Sequence, residues 1–345
     1  MALLLGSKKG IFFLLLFLPL PVFLLSLTIG SYQIPFNEVL VTLFLSIDPN
    51  FGSGSPQTQI YKEVIFMIRL PRIILALFGG IALSVSGASL QSVFKNPLVD
   101  SYILGLSAGA GLGAAISIAF FPAIIGLTQL FAFSFSFMAF MLTYFVARDR
   151  GQASTVSLVL AGVIVTALFS AALSIIKFFT TPEKLSSVVY WLMGSMAVSG
   201  WTEVLQSVPL ILVTFLIITL MRWRLNVLSM GDEEAKSLGI NVERDRLIIL
   251  LTTTLMVSSF VSVAGIIGWV GLVIPHLVRM LMRTPDNRIV IPISASLGGI
   301  FLLLADDVAR SLTSYELPVG VITTMIGAPF FLYLLKKRGG GSWRQ

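Results

Sequence analysis

The sequence predicts an all-α polytopic membrane protein with about ten transmembrane helices. Hydrophobic residues make up 56% of the 345-residue chain and charged residues only 11%, whereas an ordinary soluble domain has a charged share of roughly 25%. Apolar runs long enough to cross a ~30 Å hydrocarbon core recur along the chain. Basic residues collect in alternate connections between these runs, which is the pattern of a chain that crosses a membrane repeatedly.

Eight apolar runs are long enough to be spanning helices. They are residues 11–29, 72–92, 102–121, 126–146, 155–176, 204–221, 247–267 and 317–335. We add segments 270–282 and 289–305, although the first is short and the second carries Pro292, because omitting either one breaks the alternation of basic residues. The first run could be a secretory signal, but it is long and has no small-x-small cleavage site, so a retained helix is predicted.

The distribution of basic residues predicts the orientation of the chain. With ten helices and a cytoplasmic N-terminus, seventeen of the 23 Lys and Arg residues fall in inner segments. The remaining six are Lys62, Arg69, Arg72, Lys177, Lys184 and Arg310. Because cytoplasmic connections carry the excess of Lys and Arg, we expect a multi-pass protein of the inner, cytoplasmic membrane with both termini inside. The net charge of +7 then reflects topology and contact with anionic lipid, and no nucleic-acid partner is expected.

The chain is predicted to form a single transmembrane domain over residues 1–345, because no polar stretch is long enough to build a soluble one. Residues 31–68 are predicted as an external loop that holds an amphipathic surface helix opened by Pro35. The apolar face of that helix is predicted to be Val39, Leu40, Leu43, Phe44 and Ile47. A flexible loop is predicted at Gly52 to Pro56. The tail at 339–345 has no predicted structure.

The inner polar segment, residues 222–246, contains a short stretch that is typical of a soluble helix. Residues 231–240 lie between two membrane-length apolar runs, on the side where the basic residues collect. This placement predicts a docking surface for another protein.

Patterns for catalysis or cofactor binding are missing from the sequence. The chain has no cysteine, and the only histidine, His276, has no metal-site pattern around it. His276 is expected to cap or pack at the inner end of a short helix. The phosphate-binding Gly-x-x-x-x-Gly-Lys-Ser/Thr loop is not present. No catalytic, metal or cofactor site is therefore expected in this chain, and an intramembrane enzyme or a receptor has little support.

Small residues recur four apart in two of the predicted helices. One stripe is Gly105, Gly109 and Gly113, and the other is Ala76, Gly80, Ser84 and Ala88. Such stripes allow helix backbones to approach closely in lipid, so tight packing is predicted. The alternative is that one stripe borders a path whose walls slide during transport.

Charged residues at the outer boundary have two interpretations each. Asp306 lies four residues before Arg310, which predicts a local ion pair, although acids near a bilayer can also mark a proton path. Arg69 and Arg72 flank Leu70-Pro71 at the mouth of the second span, and Arg310 ends the ninth span on the same side. Exposed arginines there could bind acidic residues of an external partner, or they could simply anchor helix ends.

A series of sequence blocks runs in order from residue 60 to 335. The main blocks are Arg69-Leu-Pro-Arg72, Asn96-Pro-Leu-Val-Asp100, Tyr190-Trp-Leu-Met-Gly194, Gly231-Asp-Glu-Glu-Ala-Lys-Ser-Leu-Gly239, Gly268-Trp-Val-Gly-Leu-Val-Ile-Pro-His-Leu-Val-Arg279 and Leu304-Ala-Asp-Asp-Val-Ala-Arg310. Together these blocks resemble the FecCD permease family, the membrane subunits of ABC importers for iron-siderophores, haem and cobalamin. The doubled acid Asp306-Asp307 departs from the single acid expected.

The resemblance implies the type II importer architecture and a set of partners. These are a second permease subunit, two ABC ATPase subunits that bind ATP and magnesium, and an external substrate-binding protein. The second permease subunit is expected to be an identical copy, with a paralogue left open.

The resemblance also implies roles for particular residues. The helix that couples to the ATPase would be Gly231, Asp232, Glu233, Glu234, Ala235, Lys236, Ser237, Leu238 and Gly239. The binding-protein sockets would be Arg69, Arg72 and Arg310. The cytoplasmic gate region would be Asn96, Pro97, Leu98, Ser154 and Thr155.

The leading hypothesis is the permease subunit of an ATP-driven importer for a metal chelate, with ATP hydrolysed by a separate subunit. Ferric siderophore is the first choice of cargo, and haem, cobalamin and molybdate-type oxyanions stay open. The alternative is a proton-coupled secondary transporter that uses Asp306 or Asp307.

Overall fold

The computed structural model of the chain describes residues 2–30, 32–47, 56–149, 152–197, 199–313 and 315–337. In these ranges it is a bundle of helices with one small hairpin of strands β1 (Arg148–Asp149) and β2 (Gln152–Ala153), which confirms the all-α prediction. The helices are α1 (Ala2–Phe17), α2 (Pro19–Ser26), α3 (Phe36–Ile47), α4 (Pro56–Glu63), α5 (Leu70–Val93), α6 (Leu106–Phe120), α7 (Leu127–Ala147), α8 (Thr155–Phe179), α9 (Pro182–Leu192), α10 (Trp201–Met230), α11 (Asp232–Ser237), α12 (Val242–Ala264), α13 (Val270–Met282), α14 (Asn287–Ser311) and α15 (Val319–Lys337).

Each of the ten predicted spans contains an apolar helix. Six described segments are both long and apolar enough to cross a membrane, and they are Gln57–Val93, Leu127–Ala147, Thr155–Phe179, Trp201–Met230, Val242–Ala264 and Asn287–Ser311. The other four are shorter, and they are Gly10–Ser26, Leu106–Phe120, Val270–Met282 and Val319–Tyr333. The two segments that were least certain from sequence, 270–282 and 289–305, are therefore both helical.

Two of the spans begin inside the bundle. Helices α6 and α13 have 15 and 13 residues, so at 1.5 Å per residue they extend only about 22 and 20 Å. The connections that precede them pack against each other, because the Tyr102 hydroxyl donates to the Ile267 carbonyl at 2.9 Å. Non-helical backbone at membrane depth is tolerated where protein surrounds it.

Helix α5 lies at the centre and contacts α10, α12, α13 and α14. Glycines bring these backbones together. A Cβ on Gly80 would lie 2.0 Å from the Gly298 carbonyl oxygen of α14, and one on Gly87 would lie 1.9 Å from that of Gly271 in α13. Gly109 of α6 meets the α7 backbone in the same way, at Phe135. The small-residue stripes are therefore packing surfaces, as predicted for helices in lipid.

The N-terminal end of the second span contains a π-helical turn, Val64–Arg69, that joins α4 to α5. Its cause is Pro71, because proline has no N–H to donate. In an ordinary α-helix its ring would also clash with the carbonyl group four residues before it. The N–H of Leu70 bonds to the Ile65 carbonyl, five residues back. The Phe66 carbonyl accepts instead from the indole nitrogen of Trp201 at 2.9 Å.

The structure differs from the predicted boundaries at three places. Residues 56–68, predicted as part of an external loop, are helical and continuous with α5. Helix α10 continues through 222–230, so the first nine residues of the predicted segment 222–246 are helical. Helix α9 was not predicted.

The amphipathic helix of the outer stretch is present as α3. Its buried side includes Val39 and Thr42, whereas Phe44, predicted on the apolar face, is 51% exposed. Of the loop predicted at Gly52 to Pro56, residues 52–55 lie outside the described residues, as does the tail at 339–345, whereas Pro56 begins α4.

Candidate functional site

The predicted site residues fall at two opposite ends of the bundle. Arg72 lies near the start of α5 and Lys95 follows its end, and the 24 residues of α5 correspond to about 36 Å. We call the end with Arg69, Arg72 and Arg310 the arginine end, and the end with α11 the coupling end.

At the arginine end, Arg72 binds two carboxylates. Its Nε lies 3.0 Å from both carboxylate oxygens of Asp306, and its Nη2 lies 2.9 Å from one of them. Its Nη1 lies 2.7 Å from Glu316. The side chains of Arg72 and Asp306 are 6% and 0% exposed, so this pair connects the interior of α5 to that of α14.

The other two arginines connect helix α2 to the same cluster. Arg310 donates from Nη2 to the backbone carbonyl of Ser26 at 2.7 Å and to its hydroxyl at 2.8 Å, and it pairs with Asp307. Arg69 donates to the backbone carbonyls of Leu27 and Tyr32. These bonds hold the end of α2 against α5 and α14.

The prediction that these three arginines stand exposed is wrong. Arg69, Arg72 and Arg310 have relative exposures of 3%, 5% and 5%, because acceptors within the chain surround each guanidinium. Their role as sockets for a binding protein is untested and stays a prediction.

The predicted ion pair of Asp306 with Arg310 is present, but it is a long one. Those two side chains are 3.8 Å apart, while Asp306 makes its short bonds with Arg72. Arg310 instead has Asp307 as its close partner. The doubled acid therefore supplies one carboxylate to each of two arginines.

At the coupling end, helix α11 is bounded by two glycines. Gly231 has φ +153°, and a Cβ there would lie 1.8 Å from a carboxylate oxygen of Glu234. Gly239 has φ +77° and follows the helix. Its N–H bonds to the Lys236 carbonyl and that of Ile240 to the Ala235 carbonyl, which is the Schellman arrangement for ending a helix.

Helix α11 has one anchored residue and an exposed surface. Ala235 is 0% exposed. The exposed residues are Glu233, Glu234, Lys236, Ser237 and Leu238. A short polar helix that projects from an apolar bundle offers contacts to a partner protein.

Asp232, the first residue of α11, faces two cations. Its Oδ2 lies 2.7 Å from Nη2 of Arg246 and its Oδ1 lies 3.6 Å from Nζ of Lys95. Partial burial favours a higher pKa for this carboxyl, but the hydrogen bond and charge of Arg246, assisted by Lys95, hold its pKa below the usual value.

The structure brings the two predicted gate segments together. Asn96 and Thr155 line one cavity of about 240 Å³, together with Phe94, Val99, Val156, Val159 and Leu160.

The Asn96 side chain accepts from the N–H of Leu98 at 2.9 Å. The Ser154 hydroxyl accepts from the N–H of Ser157 at 3.0 Å and so caps α8. Pro97 is half-buried and Leu98 is 48% exposed. Their gating role stays a prediction.

Asp100 lies beside this region. From the sequence it was named only as the last residue of the block Asn96 to Asp100, with no role of its own. Its Oδ1 accepts from the N–H of Ser101 at 2.6 Å. Burial raises the pKa of Asp100 to about 6, and the bond from Ser101 opposes this rise. A lone acid in a loop has no periodicity that could have identified it.

No group of His, Asp and Glu side chains in the described ranges is arranged to hold a metal ion. His276 lies within α13 and is buried, with its ring 6.1 Å from that of Phe331 in an edge-on contact. A packing role fits this position.

Comparisons with known proteins agree over nearly the whole chain. The model of the FecCD transport family matches residues 14–337. The molybdate import system permease protein MolB of Haemophilus influenzae is 38% identical over 326 residues, which cover 92% of this chain and 93% of that protein. The probable iron chelatin transport system permease protein of Helicobacter pylori is 42% identical over 277 residues, covering 80% and 83%.

A solved structure has the same fold. It is described as an inward-facing conformation of a proposed metal-chelate type ABC transporter, with a TM-score of 0.83 and 35% sequence identity. The match covers 95% of this chain and 99% of that one.

Proposed function

The chain belongs to the FecCD transport family, and we propose that it imports ferric siderophores across the cytoplasmic membrane. It is a membrane permease subunit of an ABC importer and not an enzyme, and ATP is hydrolysed by separate subunits. The proposal extends this statement to the cargo, the orientation and the partner surfaces.

The observation that carries the proposal is the shape of helix α11. It projects from the connection between two spans, keeps only Ala235 fully buried and exposes Glu233 and Glu234. This supports its role as the coupling helix that inserts into an ATPase subunit. The coupling end would then face the cytoplasm and the arginine end the outside.

A binding protein would dock at the arginine end in this proposal. Glu316 is the exposed member of that cluster, with 36% of its side chain accessible, and it bonds to Arg72 at 2.7 Å. An acidic residue of a binding protein could take the place of Glu316 on Arg72. The second permease subunit is proposed to be an identical copy of this chain.

The cargo is the least constrained part of the proposal. One relative is named for molybdate and another for iron chelatin, so family membership alone does not select among substrates. Ferric siderophore is proposed, and haem, cobalamin and molybdate are the competing cargoes.

Uptake by the assembled transporter tests the proposal. Proteoliposomes would contain this chain with a partner ATPase and a partner binding protein from the same organism. We expect ATP-dependent uptake of a ferric hydroxamate labelled with radioactive iron. Preferred uptake of haem, cobalamin or molybdate would reject the siderophore, and ATP-independent uptake would reject the importer mechanism.

A further inference from the structure

The first residue of α11 differs from its neighbours because it is tied to two other elements of the chain. The two carboxylate oxygens of Asp232 bind different cations, Arg246 at 2.7 Å and Lys95 at 3.6 Å. Arg246 belongs to α12, whereas Lys95 is the second residue after the end of α5. A movement of α11 would therefore act on Arg246 and on Lys95 at the same time.

The first arm leads from Lys95 to one gate segment. Lys95 has φ +51°, a left-handed conformation that is uncommon for a residue other than glycine. It directly precedes Asn96, whose N–H bonds to the Gln91 carbonyl at 3.1 Å. A pull on the Lys95 side chain is thus applied at the turn that positions Asn96, Pro97 and Leu98.

The second arm leads through Arg246 to the other gate segment. Arg246 is buried, and its Nη1 donates to the Ala153 carbonyl at 3.0 Å and to Glu243 at 3.2 Å. Glu243 in turn accepts from the N–H of Ala153 at 3.2 Å. Both backbone groups of Ala153 are held in this way, and Ala153 directly precedes Ser154, the residue that caps α8.

Resting on the proposed function, we infer that Asp232, Lys95 and Arg246 form an ion-pair relay that makes both gate segments follow the coupling helix. The ends of its two arms adjoin the cavity of about 240 Å³ between Asn96 and Thr155. Because both arms start at one carboxylate, displacement of α11 changes the two walls of this cavity together. These three side chains are positioning residues and do not touch the cargo.

The two arms differ in strength. The Arg246 arm is made of charge-assisted hydrogen bonds around a side chain that is 3% exposed, and such bonds are roughly twice as strong as neutral ones. The Lys95 arm joins side chains that are 39% and 42% exposed, and an ion pair between exposed side chains is weak. Loss of the Lys95 arm should therefore affect only its own segment.

The chain has no cysteine, so spin labels can be placed at single introduced cysteines. One labelled pair is Ser237→Cys with Leu98→Cys, and the second is Ser237→Cys with Val156→Cys, all at exposed positions. Distances would be measured by pulsed electron paramagnetic resonance in the full chain in lipid nanodiscs. We expect Asp232→Asn to broaden both distance distributions about twofold, and Lys95→Gln to broaden only the first.

Conservative variants and a matched control separate the relay from a general loss of structure. Asp232→Glu and Lys95→Arg should restore narrow distributions. Arg244→Gln removes a charge from an exposed residue near Arg246 and should change neither distance. Melting temperatures of all variants would be compared to confirm that each one folds. If Asp232→Asn does not fold, the distances in Lys95→Gln still test the relay.

Two results would overturn the relay: unchanged distributions in Asp232→Asn, or equal broadening of both pairs in Lys95→Gln. The measurement uses no ATPase, binding protein or cargo. Failure of the proposed function would show as missing ATP-dependent uptake while these distances still respond to the substitutions.

Discussion

At the scale of single residues, the arginine end shows how buried charges determine each other's partners. Arg72 and Asp306 are separated by 234 positions in the chain and meet in the interior. Breaking a buried pair from one side leaves an uncompensated charge, which is far more destabilising than losing an exposed pair.

Replacement of Asp306 by Asn should therefore destabilise the protein strongly. Arg72 would keep only Glu316 as a carboxylate partner, and the expected loss is about 3–5 kcal/mol. Thermal unfolding of the detergent-solubilised protein measures it. Glu316→Gln is the control, because its partly exposed pair should contribute no more than about 1 kcal/mol. Equal losses in the two variants would contradict this account.

Asp100 should make stability depend on pH. Its folded pKa of about 6 lies above the unfolded value of ~3.9, so the folded state holds its proton more tightly. The contribution of this group is therefore most favourable below pH 4 and is lost as the pH rises through 6. We expect Asp100→Asn to raise the melting temperature more at pH 7.5 than at pH 4.5. An equal change at both pH values would refute the assignment.

The sequence predicts an ion pair within one helix, but it does not predict ion pairs between distant helices. The spacing of Asp306 and Arg310 is visible because residues four apart share a helix face. The same spacing could not show that Arg72 would approach from another helix and bind Asp306, leaving Asp307 for Arg310. Burial of the three arginines was missed for the same reason, since their acceptors lie on α2, on α14 and in the segments that follow these two helices.

At the scale of elements, apolar length predicted where the spans are but not where they bend or begin. Helix α9 was not predicted from the sequence because its 11 residues include Glu183 and Lys184. A short, charged segment lacks the apolar length of a membrane span. The limits of α11 were better predicted, because Gly231 and Gly239 both mark its ends.

Charge reversal on the exposed surface of α11 should uncouple the transporter. With Glu233→Lys or Glu234→Lys, or with residues 231–240 deleted, we expect ATP hydrolysis to continue with uptake per ATP reduced ~10-fold, the equivalent of about 1.4 kcal/mol of interface energy. Both rates would be measured in proteoliposomes. Normal coupled uptake would refute the docking role.

The close approach of α5 to α13 should be sensitive to a single methyl group. In Gly87→Ala the new Cβ would lie 1.9 Å from the Gly271 carbonyl oxygen, and overpacking of this kind costs about 1–3 kcal/mol. Folded yield and melting temperature measure the loss. Gly10→Ala is the control, because no atom lies within 4 Å of a Cβ there. Similar behaviour of the two variants would contradict the packing.

At the scale of the whole molecule, the two ends of the bundle have different chemistry. The arginine end has a buried cluster of ion pairs between residues of this chain. The coupling end has a polar helix that projects from the bundle. Composition alone could predict the bundle, because burial in lipid requires long apolar helices. Composition could not predict which polar groups meet, because that depends on how distant helices pack.

The whole-molecule prediction concerns the source of energy. Asp306 and Asp307 are each paired with an arginine, which opposes their use as proton carriers. We expect vesicles that contain this chain alone to accumulate no ferric hydroxamate under an imposed pH gradient. Addition of the ATPase, the binding protein and ATP should produce uptake. Accumulation driven by the pH gradient alone would support the secondary transporter.

The π-helical turn before Pro71 has a consequence for the outer surface. If residue 71 could donate an N–H, the helix could close in the ordinary α pattern, and the segment above it would rotate by roughly 100°, the angle of one residue. The Phe66 carbonyl would then turn away from Trp201, and Arg69 from the carbonyls of Leu27 and Tyr32. Pro71 thus sets the direction in which the Phe66 carbonyl and the Arg69 side chain point at the arginine end.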